Sequence, residues 1–216
     1  MRLFTFWRSS SAYRVRIALA VKGLAYEPAF VHLTREGGGQ HAADFRDKNP
    51  LGQIPVLEIP GVDGEAPAYL SQSLAIIEYL EERFPSPPLL PKALLARARV
   101  RELAELMNSG IQPFQNLSTT NFLSEVAPEL DKQRWFDKFI AGGLKVVEGR
   151  AQKLAGRFLV GDELSIADVL LVPQLYAARR LNLSLETFPT LLRVEAECLK
   201  LDGFASAHPD RQGDRE

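Results

Sequence analysis

The chain opens with a tight apolar run. Leu3 to Trp7 are apolar or β-branched, the make-up of a short buried strand. Ser9, Ser10 and Ser11 follow, with hydroxyls of the kind that cap helix starts. From Tyr13 to Val21 the residues are good helix formers and mostly apolar, so this helix is expected to lie against a sheet rather than in open water. Gly23 is placed to end it. Tyr26 to Leu33 alternates poorly but is rich in apolar and β-branched residues and reads as a second strand. Strand, helix and strand in such quick succession predict a βαβ unit with parallel strands.

Gly37, Gly38 and Gly39 form a flexible loop leading to Gln40. In the segment Asn49 to Leu57, Pro50, Gly52 and Pro55 punctuate the chain, and Val56 to Ile59 then form a short strand. Pro55 cannot donate to a sheet ladder and stands directly before that strand. A cis bond there would turn the chain and leave the backbone groups of Ile54 open to an extended peptide-like ligand, although trans is the commoner isomer. Gly61 to Glu65 make a turn, and Pro67 to Leu70 lead into another strand. Ser71, Gln72 and Ser73 open a helix with Leu74, Ile77, Leu80 and Phe84 at helical spacing.

Pro85, Pro87, Pro88 and Pro91 make a linker that cannot continue a helix. Beyond it no segment has strand period. Ala93 to Met107 carries Val100, Leu103 and Met107 on one stripe, and the segment Gly110 to Pro113 should interrupt it. Trp135, Phe136, Phe139, Leu144 and Val147 mark a further core-facing helix. The stretch from Leu164 to Asp168 has the strongest helix-start signature, with Ser165 and Asp168 as a capping box and Leu164 as a staple onto Val169. It begins an apolar helix reaching Leu181, bent if Pro173 is interior. Ser206 to Glu216 are polar and charged and read as a loosely held tail. The expected organisation is an α/β domain over 1–84, a linker over 85–92 and an all-helical domain over 93–216.

Composition narrows the class. The 216 residues are 46% apolar and 25% charged, ordinary values for a globular protein with a real core. A net charge of −1 with both signs interspersed gives no reason to expect nucleic acid or an anionic membrane as partner. No apolar run approaches bilayer length, and the first residues lack the features of a signal peptide. Cys198 is the single cysteine, so no internal disulfide can form and a reducing cytoplasm is the simplest home. His32, His41 and His208 have no metal-ligand spacing, and no metal site is expected.

Two helix starts carry the chemistry. Free N–H groups beside the hydroxyls of Ser9, Ser10 and Ser11 can hold an anion or a thiolate, and simple capping explains the same residues. Gln72 and Ser73 stand where a helix favours a carboxylate, again with capping as the alternative. Gln112, Gln115 and Asn116 follow one another closely enough for their amides to line one wall. Arg179 and Arg180 end a helix, where the dipole favours cations; a guanidinium there is also well shaped for a substrate carboxylate.

Taken together these motifs resemble the cytosolic glutathione transferases. The resemblance covers nearly the whole chain and is closest to the zeta class, the maleylacetoacetate isomerases. It rests on Ser9 to Leu19 (SSSAYRVRIAL), Asn49-Pro50 with Gln53-Ile54-Pro55, Gln72 to Leu80, Ile111 to Leu117 (IQPFQNL), Val160 to Asp162, Ala167-Asp168, Val172 to Gln174 and His208 to Gln212. The resemblance implies a thioredoxin-like α/β N-terminal domain, an all-α C-terminal domain and a homodimer. It implies glutathione as cofactor, with Gln72 and Ser73 holding the γ-glutamyl carboxylate and Ile54, before a cis Pro55, pairing with the cysteinyl backbone. Gln40 would contact the glycyl end, and Gln112, Gln115 and Asn116 would line the site. Ser9, or Ser10 beside it, would donate a hydrogen bond to the sulfur. Ser11 stands where many zeta sequences carry cysteine. Arg180, with Arg8 as second candidate, would bind the carboxylate of a small maleyl keto acid. The implied reaction is the glutathione-dependent cis–trans isomerisation of maleylacetoacetate. Maleylpyruvate isomerisation, general transferase or haloacid dehalogenase activity, and a non-catalytic interaction module are the alternatives. Asn116 to Thr120, where the related maleylpyruvate isomerases tend to carry paired arginines, leans toward maleylacetoacetate.

Overall fold

The start of the chain builds a four-stranded sheet, with residues buried in runs such as Leu3 to Phe6 rather than in alternation. Its strands are β1 (Arg2–Thr5), β2 (Glu27–Phe30), β3 (Val56–Ile59) and β4 (Ala68–Ser71), in the order β2-β1-β3-β4. Helix α1 (Ser10–Val21) connects β1 to β2, and the two strands pair in parallel, as the βαβ pattern requires. β3 runs antiparallel to β1, and β4 antiparallel to β3. The short α2 (Ala43–Arg46) lies between β2 and β3, and α3 (Ser73–Arg83) follows β4.

The computed structural model describes residues 1–216 and resolves two compact units, Met1–Pro87 with Leu201–Glu216, and Pro88–Lys200. The first contains the sheet. Leu3, Ile17, Leu19, Leu57, Ile76, Ile77 and Leu80 are fully buried there, and each such side chain contributes about 2 kcal/mol by leaving water. α1 is buried from Ala12 to Leu19 because α3 and α10 (Asp202–Ala207) both pack on it. Lys22, at the end of α1, uses all three ammonium protons: Nζ donates to Glu81 Oε2 at 2.7 Å, to the Phe84 carbonyl at 2.7 Å and to the Pro87 carbonyl at 3.0 Å. A buried cation is tolerable only when it is paired and bonded in this way.

The second unit is helical: α4 (Leu94–Asn108), α5 (Leu117–Val126), α6 (Lys132–Phe136), α7 (Gly142–Leu154), α8 (Ile166–Arg180) and α9 (Pro189–Cys198). A 3₁₀ turn, Gln112–Gln115, separates α4 from α5 at the Gly110–Pro113 interruption, and a π-type segment, Asp137–Ala141, joins α6 to α7. α8 begins with the expected capping box and contains Pro173. No helix is long and apolar enough to cross a membrane.

The sequence reading of Ser206–Glu216 as a loose tail, grouped with the helical domain, is corrected. Residues 201–216 return to the sheet-containing unit and are tied to it by specific bonds. Phe204 and Ala207 are buried there, and Arg16 Nε donates to the Ala207 carbonyl at 3.2 Å. These contacts join residues far apart in sequence, which a polar composition does not reveal.

Candidate active site

Sheet register brings four chain segments to one end of the first unit. Phe4 pairs with Ala29 on one side and Val56 on the other, and Val56 pairs with Ser71. This row lies near the end of β1, β2 and β4 and at the start of antiparallel β3. The segments that emerge there carry Ser9 after β1, Gln40 after β2, Ile54-Pro55 before β3 and Gln72-Ser73 after β4.

Each segment presents a different chemistry. Ser9 is the N-cap of α1, and its Oγ accepts from the Ala12 amide at 3.1 Å. That bond uses an oxygen lone pair and leaves the hydroxyl proton to donate elsewhere. Ser10 and Ser11 are the first two residues of α1 and are half-buried, so their amides belong to the unpaired first turn. The Ile54–Pro55 bond is cis, and no other backbone group pairs with the N–H or C=O of Ile54.

Gln72 has φ +71 and ψ 114, a backbone conformation that costs a non-glycine residue roughly 1–3 kcal/mol, and its exposed side chain makes no cap bond to α3. The α3 start is therefore open. Ser73 is buried, and Arg14 Nη1 donates to its Oγ at 3.2 Å. Arg14 itself is 0% exposed, so a full positive charge sits beneath the N-terminus of α3. Helix dipole and guanidinium act in the same direction, toward an anion. Arg14 is a residue that sequence reasoning passed over. Its only local signal, shared with Arg16, is an arginine inside a mostly apolar helix.

Gln40 is buried, and its Nε2 donates to the Leu33 carbonyl at 3.0 Å. Gly38, at φ +93, lies so close that a Cβ would come within 2.6 Å of Gln40 Oε1, so only glycine lets the side chain tuck under this loop. Gln40 Oε1 is buried without a partner. Arg8 is exposed, with its guanidinium 5.5 Å from the Trp7 ring centre.

In the helical unit the amides take separate roles. Gln115 and the fully buried Gln174 exchange hydrogen bonds, Gln174 Nε2 to Gln115 Oε1 at 3.0 Å and the reverse at 3.4 Å. Asn116 is the N-cap of α5 and accepts from the Ser118 amide at 3.3 Å. Gln112 opens the 3₁₀ turn and is half-buried. Gln115 and Asn116 thus each have an internal partner within the helical unit. Phe114, Trp135 and Phe139 cluster beside this turn, with Phe114 and Phe139 stacked at 4.3 Å, and Trp135 Nε1 donates to the Phe114 carbonyl at 2.8 Å.

Arg179 and Arg180 diverge. Arg179 forms a bidentate pair with buried Glu195, which raises the guanidinium pKa above its ordinary value. Arg180 is exposed, 6.0 Å from the Tyr176 ring centre. Cys198 is buried, and desolvation, joined by the charge of Asp168, pushes its thiol far above the usual range, which makes it inert.

Comparison with known proteins agrees with this geometry. Residues 3–88 match the glutathione S-transferase N-terminal domain, and residues 137–201 match the C-terminal domain of the same family. Maleylacetoacetate isomerase of Mus musculus is 44% identical over 212 residues, covering 98% of this chain and 94% of that protein. A maleylacetoacetate isomerase from Anaeromyxobacter dehalogenans, solved with glutathione in its active site, is 51% identical with a TM-score of 0.90, covering 100% of this chain and 97% of the other. A second structure of that enzyme holds dicarboxyethyl glutathione and citrate; it is 49% identical with a TM-score of 0.88, covering 100% and 93%. The paired domains and near-full-length identity place this chain in the zeta class of the glutathione transferases, the maleylacetoacetate isomerase family.

Proposed function

We propose that the protein is a glutathione-dependent isomerase that converts maleylacetoacetate to fumarylacetoacetate. The carrying observation is the convergence at one sheet end of an open helix start, an unpaired Ile54 backbone and the Ser9 cap. This donor set fits an extended tripeptide. Its carboxylate suits the α3 start above Arg14, its peptide groups suit Ile54, and its sulfur suits the Ser9 hydroxyl proton.

Bound glutathione supplies the nucleophile: its thiolate adds reversibly to the cis double bond, the resulting enolate rotates about what is now a single bond, and elimination releases the trans product and the unchanged thiolate. The relative that holds dicarboxyethyl glutathione contains a thioether of the kind such an addition produces. Ser9 donates to the sulfur and favours its ionised form, and Ser10 and Ser11 add the dipole of the α1 start. Gln72 and Ser73 hold the γ-glutamyl carboxylate. Gln40 contacts the glycyl end, where its unpartnered Oε1 accepts from the glycyl N–H. Gln112, Gln115 and Asn116 are the helical unit's candidates for lining the site. Arg180 binds the substrate carboxylate, with Arg8 as the second cation. Orientation and charge stabilisation are the whole of the protein's contribution, since no proton need leave a side chain.

The protein acts in the cytoplasm as a homodimer in this reading. Leu94 and Leu95, 85% and 70% exposed at the start of α4, support a subunit contact. The deciding experiment follows maleylacetoacetate loss, coupled to fumarylacetoacetate hydrolase, with and without glutathione. Glutathione-dependent turnover that collapses in Ser9→Ala supports the isomerase. Conjugation of chloroacids without isomerisation would replace it with a general transferase.

A further inference from the structure

The segment 212–216 touches both loops that flank the proposed glutathione site. Asp214 Oδ2 accepts from the Trp7 amide at 3.0 Å, two residues before Ser9, and Asp214 Oδ1 is buried. The carbonyl of the same residue, Trp7, accepts from Arg16 Nη2 at 3.1 Å, while Arg16 Nη1 donates to the Phe6 carbonyl at 3.3 Å and to Thr5 Oγ1 at 3.1 Å. The peptide groups leading into Ser9 are thus gripped from both sides, by an anion at the N–H and by a buried cation at the C=O.

The second loop is held in a similar way. Glu216 Oε1 accepts from His32 Nε2 at 2.6 Å and from Arg35 Nη2 at 2.7 Å. His32 Nδ1 in turn accepts from the Arg35 amide at 2.8 Å and the Thr34 amide at 3.2 Å. With Nδ1 an acceptor, Nε2 must carry the proton that reaches Glu216. The His32 carbonyl accepts from the Gly39 amide at 2.8 Å, next to Gln40. Between the two arms, a Cβ on Gly213 would stand 3.3 Å from the Phe30 ring, so the backbone passes close over the end of β2.

We infer that this segment is a positioning strap for the glutathione site: Asp214 sets the serine turn through the Trp7 amide, and Glu216 sets the Thr34–Gln40 loop through His32 and Arg35. The inference deepens the proposed reading and rests on it. The two arms act on different quantities. Asp214 governs where the Ser9 hydroxyl points, and therefore the acidity of the bound thiol. Glu216 governs the loop that contains Gln40, and therefore affinity.

The test titrates the thiolate absorbance of bound glutathione against pH and measures glutathione affinity by calorimetry, alongside hydrogen exchange at the Trp7 amide in ligand-free protein. Asp214→Ala removes the acceptor. Trp7 exchange should accelerate, the thiol titration should move to higher pH, and isomerase kcat should fall about ten-fold, with KM for the keto acid little changed. Asp214→Asn keeps an acceptor while removing the charge, and should recover most of each loss. Glu216→Gln should weaken glutathione binding about three-fold and leave the thiol titration in place, because that ion pair is half-exposed. Arg211→Ala, at an exposed position just before the segment, should match the wild type. A normal thiol titration in folded Asp214→Ala overturns the inference. So does a lowered thiol pKa in both Asp214 variants, which would show that the carboxylate acts by its charge alone. Wild-type protein with no thiolate signal would instead sink the glutathione reading itself.

Discussion

The starts of α3 and α8 meet the same physical problem and resolve it in opposite ways. At α8 everything is closed. Asp168 accepts from the Leu159 amide at 2.7 Å, the Ser165 amide at 2.9 Å and Ser165 Oγ at 2.7 Å, and its residue is 0% exposed. At α3 the first turn has no acidic residue, Gln72 gives no cap bond, and its backbone is held at φ +71. The α8 start stabilises the chain and has nothing left to bind. The α3 start keeps its N–H groups available and accepts backbone strain to do so. A helix start can thus be read as structural or functional by asking whether its own sequence fills it.

The largest expected effect comes from opening the closed start. Asp168→Ala leaves three buried donors without an acceptor and should cost about 3 kcal/mol in urea unfolding, with folded protein harder to recover. The cost depends on pH. Burial pushes the Asp168 carboxyl up from 3.8 to about 6, against the lowering pull of its hydrogen bonds. Between those values the folded chain holds a proton that the unfolded chain has released, so the group's contribution to stability falls as pH rises through that window. Unfolding midpoints of wild type and Asp168→Asn, compared at about pH 5 and about pH 7.5, should show the wild type losing that extra stability and the variant staying flatter.

The opposite change closes or relaxes the open start. Gln72→Gly relieves the left-handed backbone and should raise stability by about 1 kcal/mol while weakening glutathione binding about ten-fold. Calorimetry and thermal unfolding on the same sample check both signs. If the two fell together, the strain at Gln72 would have no link to binding.

The adjacent arginines give the smallest and most discriminating pair. Arg179→Ala strands buried Glu195 and should lower stability by about 1 kcal/mol without raising KM. Arg180→Ala should shift stability by less than about 0.5 kcal/mol yet raise KM for the keto acid or lower kcat. Unchanged kinetics in Arg180→Ala would remove it from substrate binding.

Local pattern alone carried much of this molecule. The strand from Val56 to Ile59 and the capping box of α8 stand where the spacing of apolar residues and caps put them. The break before α5 and the proline-rich stretch between Phe84 and Lys92 follow from proline and glycine chemistry over a few residues. The serine turn and the Gln72-Ser73 start were legible as places where a helix begins without an acidic partner. Such features depend on neighbours three or four residues away, and the sequence states those directly.

Tertiary structure decided everything that needs a distant partner. Gln115 could not be seen to engage Gln174, 59 residues on, nor Trp7 to meet Asp214, 207 residues on. Gln40 turned inward because Gly38 leaves it room beneath the loop and the Leu33 carbonyl needs a donor. Arg179 and Arg180 are alike in sequence, and only the position of Glu195 on α9 tells them apart. The reason is physical: a buried polar group must find a partner wherever packing supplies one, and packing is set by the assembled core rather than by local spacing.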